Sequence, residues 1–382
     1  MRCSLGDGGL FASPIDEGTF ISGPHSDAGT SYSVALGDLY GDGKLEAVVA
    51  EYYSGAIRVV DNLDGTFVPT GESSSVPAFA SDIAIFKLTP GASPAVVTTQ
   101  WANDSDAGNN VTVLGLTSGG ELSKPNALPF WSQWSPGATV AADLNGDGIP
   151  DLLTPCDWGT QVFIGDGTGG FKAEAVDLFT AGPNFVQDFN EDGVPDLVSS
   201  MAVSLYCDAP PSNTVEIHFG IGDGTFSDAG LVAFTLEGTA PLTLIGDVNE
   251  DGHADLLIEV ANCNDGSTTH FVLLGRGDGT FSPGPKPSLN STAIRLYLVD
   301  INGDGHLDLV GDNPANIYVA LGNGDGTFQS ELVLPVPEGV GDLAIGDVNG
   351  DGWPDLVATG AQPTAPGSLS STSLQVLLNN CH

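Results

Sequence analysis

Positive charge is what this chain has least of. Its 382 residues include nine Lys and Arg against 49 Asp and Glu, a formal charge of −40. Nucleic acid is excluded as a partner class, because no basic surface exists to displace phosphate counterions. An anionic membrane surface is excluded on the same ground. Long apolar runs are missing too. No stretch of about 18 apolar residues occurs, so nothing in the sequence reads as a membrane-spanning helix. The first residues, Met1-Arg2-Cys3-Ser4-Leu5-Gly6, lack an apolar h-region, and the expectation is that any secretion leader has been removed or was never present. Catalytic signatures are equally sparse: there is no His-Glu-x-x-His, no Gly-x-Ser-x-Gly and no Gly-rich phosphate loop.

What the chain has in quantity is Asp and Gly, and they fall in a fixed order. Asp143, Asn145, Asp147 and Asp151 occupy positions 1, 3, 5 and 9 of a nine-residue stretch, with Gly148 at position 6. Alternate side chains on a tight turn can share one cavity, and the glycine lets the backbone fold over with positive φ. Hard oxygens around such a pocket suit Ca²⁺; Mg²⁺ demands a stricter octahedron, and Zn²⁺ prefers His or Cys. Four further full copies follow: Asp188, Asn190, Asp192, Asp196; Asp247, Asn249, Asp251, Asp255; Asp300, Asn302, Asp304, Asp308; and Asp347, Asn349, Asp351, Asp355. A sixth, incomplete copy has Asp38, Asp42 and Glu46, with Tyr40 at position 3. Two carboxylates at about 4 Å and an effective dielectric near 20 repel by roughly 4 kcal/mol. A divalent ion would remove that repulsion, so five calcium sites are expected, with the sixth loop in doubt.

Around each loop the pattern repeats. An apolar strand leads in, the loop follows, and a buried strand leaves it, as in Asp255-Leu-Leu-Ile. An alternating strand comes next, such as Val215-Glu-Ile-His-Phe, and then a turn of the form Gly222-Asp-Gly-Thr-Phe226, repeated at Gly277 and Gly324. Asp-Gly between apolar runs is a hairpin signal. Each unit is thus four antiparallel strands. Residues 81–97 supply a further unit whose loop has lost every carboxylate. Seven units of about 50 residues predict an all-β, seven-bladed β-propeller. One domain over 1–382 is expected, its blades starting near 32, 79, 137, 183, 240, 293 and 340. Residues 1–20, carrying the turn Leu5-Gly-Asp-Gly-Gly-Leu-Phe11 that the C terminus lacks, would complete the seventh blade. Cys3 and Cys381 flank that junction, where a disulfide would lock the ring at a gain of about 4–5 kcal/mol in the chain-entropy model. Cys156, Cys207 and Cys263 fall on one rim, with a pair plus a free thiol and three reduced thiols both open.

Asp-x-Asn-x-Asp-Gly-x-x-Asp inside four-stranded repeats resembles the FG-GAP/VCBS repeat family, to which the integrin alpha-subunit head belongs. The resemblance runs over essentially the whole chain, although the Phe-Gly and Gly-Ala-Pro signatures are poorly kept and no integrin-type leg is present. It implies calcium on the lower face and ligand binding on the upper. It adds the position-7 carbonyls of Ile149, Val194, His253, His306 and Trp353 to the ligand set. Since only the carbonyl is needed there, the two imidazoles are expected to point to solvent rather than to metal.

The loops after the second and fourth strands of each blade would form the upper face, and loops on a rigid scaffold are where binding residues gather. Trp101, Trp131, Trp134 and Trp158, with Phe130 beside them, cluster in blades two and three. An indole suits the C–H face of a sugar or an apolar protein anchor; the competing reading makes these rings core. Tyr52, Tyr53 and Tyr206 are weaker candidates. The functional expectation is a secreted or cell-surface, monomeric, non-catalytic module binding a glycan or protein. The alternative is a polysaccharide lyase or hydrolase on the same scaffold.

Overall fold

The computed structural model describes residues 15–21, 32–51, 55–76, 79–88, 91, 93–101, 110–117, 121–130, 136–156, 159–174, 184–201, 213–236, 242–261, 268–287, 289, 293, 295–337, 339–360 and 371–379. They form seven four-stranded antiparallel sheets and no helix. In six of the sheets the strand order follows the chain. These blades, one to six, cover 32–75, 79–129, 140–174, 184–236, 242–283 and 295–335. The seventh holds Asp342–Gly346, Asp355–Thr359 and Ser371–Leu377, with Ile15–Ile21 pairing antiparallel along Ser371–Leu377. The turn at Leu5–Phe11, Cys3 and Cys381 lie outside the described residues.

The middle strands are buried on both faces, because each blade is covered on two sides. Glu46–Glu51 is buried throughout, as is Asp355–Thr359. The buried residues fall into seven apolar clusters, and each cluster mixes two adjacent blades. Val310 and Ile317 of blade six meet Leu343 and Leu356 of blade seven. Val34 and Val49 of blade one meet Val357 and Val376 of blade seven, so the ring is continuous across that seam. The remaining five clusters repeat this between the other neighbours. No blade buries its own faces, so cohesion lies between repeats.

The first strands of neighbouring blades lie against one another around the axis. They carry a polar seam from blade six to blade one. Arg295 donates to both oxygens of the buried Asp312, at 3.1 and 2.6 Å, and reaches Asp342 at 3.2 Å. Asp342 also accepts the Ser33 hydroxyl and the Val34 N–H, each at 2.8 Å. Across the axis, burial pushes the Asp82 carboxyl up to about 6, repulsion from Asp342 adds to the rise, and the Ile83 and Thr139 amides oppose it.

That shift fixes the sign of a pH effect. The folded pKa of Asp82 lies above its unfolded value, so folding favours the protonated acid, and stability falls as pH rises from about 4 through 6. Asp82→Asn should therefore raise the melting temperature by a few degrees at pH 8 and change it little at pH 4. Equal effects at the two pH values in thermal melts would contradict this assignment.

Candidate metal centres

Each acidic stretch begins after a first strand and ends on the opening residue of the second: Asp151, Asp196, Asp255, Asp308 and Asp355 all start strands. Within the Asp143 loop, Asp143 accepts N–H groups from Gly146, Asp147 and Gly148 at 2.8, 3.1 and 2.8 Å. Asn145 accepts from Asp147 at 2.9 Å, and Asp147 from Ile149 at 2.8 Å. In the other four full loops the position-5 and position-6 N–H groups again bond Asp188, Asp247, Asp300 and Asp347, joined at Asp347 by that of Gly350, and the bonds to Asn190, Asn249, Asn302 and Asn349 and to Asp192, Asp251, Asp304 and Asp351 recur. In the incomplete copy, Asp38 still accepts from Gly41, Asp42 and Gly43. Its Tyr40 points outward, donating its hydroxyl to Asp61 at 2.9 Å.

Position 9 behaves differently. Asp151, Asp196, Asp255, Asp308 and Asp355 are fully buried. One oxygen of each accepts the N–H of loop position 2: Leu144, Phe189, Val248, Ile301 and Val348. The other accepts an N–H from the end of the third strand: Gly165, Gly220, Gly275, Gly322 and Asn379. Glu46 keeps the first of these bonds, to Leu39 at 2.9 Å. Burial raises all six carboxyls, those of Asp308 and Asp355 to about 6; the two amides oppose the rise, and the carboxylates at positions 5 and 1 of the same loop add to it.

This electrostatic strain is the observation against which a cation is tested. The side chains at positions 1, 3, 5 and 9 offer oxygen only, a donor set for a hard divalent ion. Each ionised carboxylate has about four acceptor sites and spends one to three on amides, so lone pairs remain. As placed, no group of three or more Asp, Glu, His or Cys side chains among the described residues meets as a metal-ligand cluster; the oxygens face the loop's own N–H groups. The residues fit calcium in chemistry and sequence order.

The loops are also joined from blade to blade. In three of the Gly-Asp-Gly turns the second glycine donates to the position-2 carbonyl of the preceding blade: Gly224 to Leu144, Gly279 to Phe189 and Gly326 to Val248, at 2.8–3.2 Å. Asn62 and Asn379 make the same connection by side chain, to Val348 and Ile301, each at 2.7 Å. Sequence reasoning missed a second link, from position 4 of one loop to position 7 of the next. The His253 ring pairs with Glu191 at 2.6 Å, and that of His306 with Glu250. Each imidazole thus shares a hydrogen bond with a glutamate carboxylate of the preceding blade rather than simply facing solvent. Trp353 lies so close over Gly303 that a Cβ there would sit 2.0 Å from the indole. Glu191 and Glu250 have φ of 56° and 60°, at a position where Gly146, Gly303 and Gly350 stand in other loops. A non-glycine residue there costs about 1 kcal/mol or more, held in place by the pairing across blades.

The upper-face candidates are placed only in part. Trp101 ends a strand of blade two opposite Phe79; its side chain, and all of Trp131, Trp134 and Trp158, lie outside the described residues. So do Tyr52, Tyr53, Tyr206 and every cysteine side chain. Phe130 is core, buried between blades two and three, which corrects its grouping with a ligand surface.

A family model described as FG-GAP-like repeat matches residues 143–199, 188–258, 247–311 and 300–358, each segment running from one acidic loop through the next. Among solved structures, one reported as the basis of specific recognition of non-reducing terminal N-acetylglucosamine by an Agrocybe aegerita lectin is 19% identical, covers 80% of each chain and has a TM-score of 0.55. The V. cholerae biofilm matrix protein Bap1 is 11% identical, over 96% of this chain and 91% of that one, with a TM-score of 0.47. No curated protein matches the sequence. At 19% identity the lectin structure speaks to the fold alone.

The position-4 pairing gives a direct test. Glu191→Ala should lower the melting temperature, losing the His253 pair while keeping the strained backbone. Glu191→Gly should recover about 1 kcal/mol of that loss. Equal destabilisation by the two substitutions in denaturant unfolding would show that the strain is absent.

Proposed function

The chain belongs to the FG-GAP-like repeat family, and from that premise we propose that it is a calcium-stabilised extracellular binding module whose upper-face loops engage a glycan or protein without catalysis. The observation carrying the metal half is the repeated loop itself: five buried position-9 carboxylates, each raised by burial and by its two loop neighbours. Asp143, Asn145, Asp147, the Ile149 carbonyl and Asp151 would hold the first ion, and the equivalent residues of the next four loops would hold the others. Bound calcium would supply positive charge that fixes each loop. The chain's own residues do the rest: position 9 ties the loop to the third strand, and position 2 carries the link to the next blade.

The binding half rests on the division of the molecule into two faces. The acidic loops and glycine turns occupy one face, bonded to each other in every seam described above. The connections after second and fourth strands vary in length along the sequence, the usual setting for recognition. Tryptophans 101, 131, 134 and 158 fall on those connections or beside them. A lectin with the same fold supports a glycan as the first ligand class to try. No helix of the described residues is long and apolar enough to cross a membrane.

Two measurements test the two halves separately. Calcium should raise the melting temperature by several degrees over chelator, and Asp304→Ala should lower it in calcium with little further loss in chelator; a melt indifferent to chelator would sink the metal. On a glycan array in calcium, Trp131→Ala or Trp134→Ala should abolish retention with an unchanged melt. Early unfolding of both variants would make these rings core.

A further inference from the structure

Blade two has the same nine-residue frame as its neighbours, with the chemistry removed. Lys87 stands at position 1, Leu88 at position 2 and Pro94 at position 8. Leu88 is buried, as Leu144 and Phe189 are at position 2 of the next two loops. Ala95 opens the second strand, where the acidic loops place their buried Asp. The N–H at the end of the third strand, on Gly115, has therefore lost its carboxylate. It donates instead to the Ser123 hydroxyl at 3.0 Å. Ser123 arrives from the return arm, held by its own N–H to the Gly115 carbonyl at 2.7 Å and by the bridge between Leu116 and Leu122.

Satisfying Gly115 from the side leaves room beneath it. A cavity of about 330 Å³ opens between blades two and three, beside the acid-free loop of blade two. Its floor is mainly apolar, formed by Leu88, Ala95, Val113 and Leu116 with Ser123 among them. Its rim is polar and solvent-exposed: Ser93 and Asn126 from blade two, and Thr168 from the glycine turn of blade three. Thr168 donates its hydroxyl to Asp166 at 2.8 Å, which aims its remaining lone pairs away from that contact. None of the lining residues is ionisable.

We propose that this cavity is a binding site for one neutral pyranose residue. Its volume lies at the small end of ligand pockets, about 300–1,000 Å³, enough for one ring but not a chain. A mainly apolar floor with a hydroxyl and amide rim matches a molecule that has a C–H face and hydroxyl edges. An anion would be repelled by a chain of formal charge −40, and a cation would find no carboxylate in the lining to pair with. The site depends neither on calcium nor on the upper-face reading.

The test uses the full chain, labelled at its methyl groups, titrated to millimolar concentration with the methyl glycosides of glucose, galactose, mannose and N-acetylglucosamine. At least one should give saturable shifts confined to the methyls of Leu88, Ala95, Leu116 and Thr168. Ala95→Leu, which fills the floor, should weaken that binding by about tenfold or more. Asn126→Ala, on the exposed rim, should weaken it without moving the melting temperature, and keeps the test open if Ala95→Leu folds poorly. Absence of shifts with all four sugars, or shifts unchanged in Asn126→Ala and in folded Ala95→Leu, would overturn the proposal. Shifts with toluene alone would also overturn it, marking the cavity as merely apolar.

Discussion

A fully buried carboxylate with two backbone amides is the interaction on which this propeller depends. At position 9 of each full acidic loop, an Asp opens the second strand of its blade. It closes the loop through the N–H of position 2 and fixes the end of the third strand through a second N–H, as Asp151 does with Leu144 and Gly165. Two hairpins that are separate in sequence are thereby held at one end of the sheet. Hydrogen bonds to a charged acceptor are worth about 1.5–3 kcal/mol, and an orphaned buried amide costs a similar amount. Blade two shows how strongly the amide needs a partner, since Ser123 takes over where the Asp has become Ala95.

From that bond the order spreads sideways. Position 2 contributes a buried apolar side chain, and its carbonyl receives a donor from the next blade, as Val248 does from Gly326. Positions 4 and 7 add side-chain links that differ from seam to seam: two Glu–His pairs and one indole seated on glycine. Seven apolar clusters, each shared by two blades, supply the cohesion beneath. The lower face thus does structural work with polar groups, and the acidity of the chain is concentrated where loop geometry makes use of it.

The architecture was legible because its signal is periodic. The Asp-x-Asn-x-Asp-Gly-x-x-Asp frame and the Gly-Asp-Gly turns mark two hairpins per blade, and the spacing between frames leaves room for four strands. Even blade two could be read, through the alternation of Ile83-Ala-Ile-Phe86 and Ala95-Val-Val97. The links between loops were not legible. Glu191 and His253 stand 62 residues apart and meet only because consecutive blades place position 4 beside position 7. Position 9 was read as a metal oxygen, but its hold on the third strand was hidden, since nothing local in Asp151-Leu-Leu points to Gly165. Phe130, grouped with tryptophans by sequence proximity, is core because it closes the interface between two blades.

The central claim is that these turns are cation sites as well as caps. Crystals grown with terbium, a hard trivalent substitute for calcium whose anomalous scattering locates it directly, would decide the point. The account predicts anomalous peaks inside the loops that begin at Asp143, Asp188, Asp247, Asp300 and Asp347, within bonding distance of positions 1, 3, 5 and 9. Loops that keep their amide caps and show no peak at any of the five would contradict it.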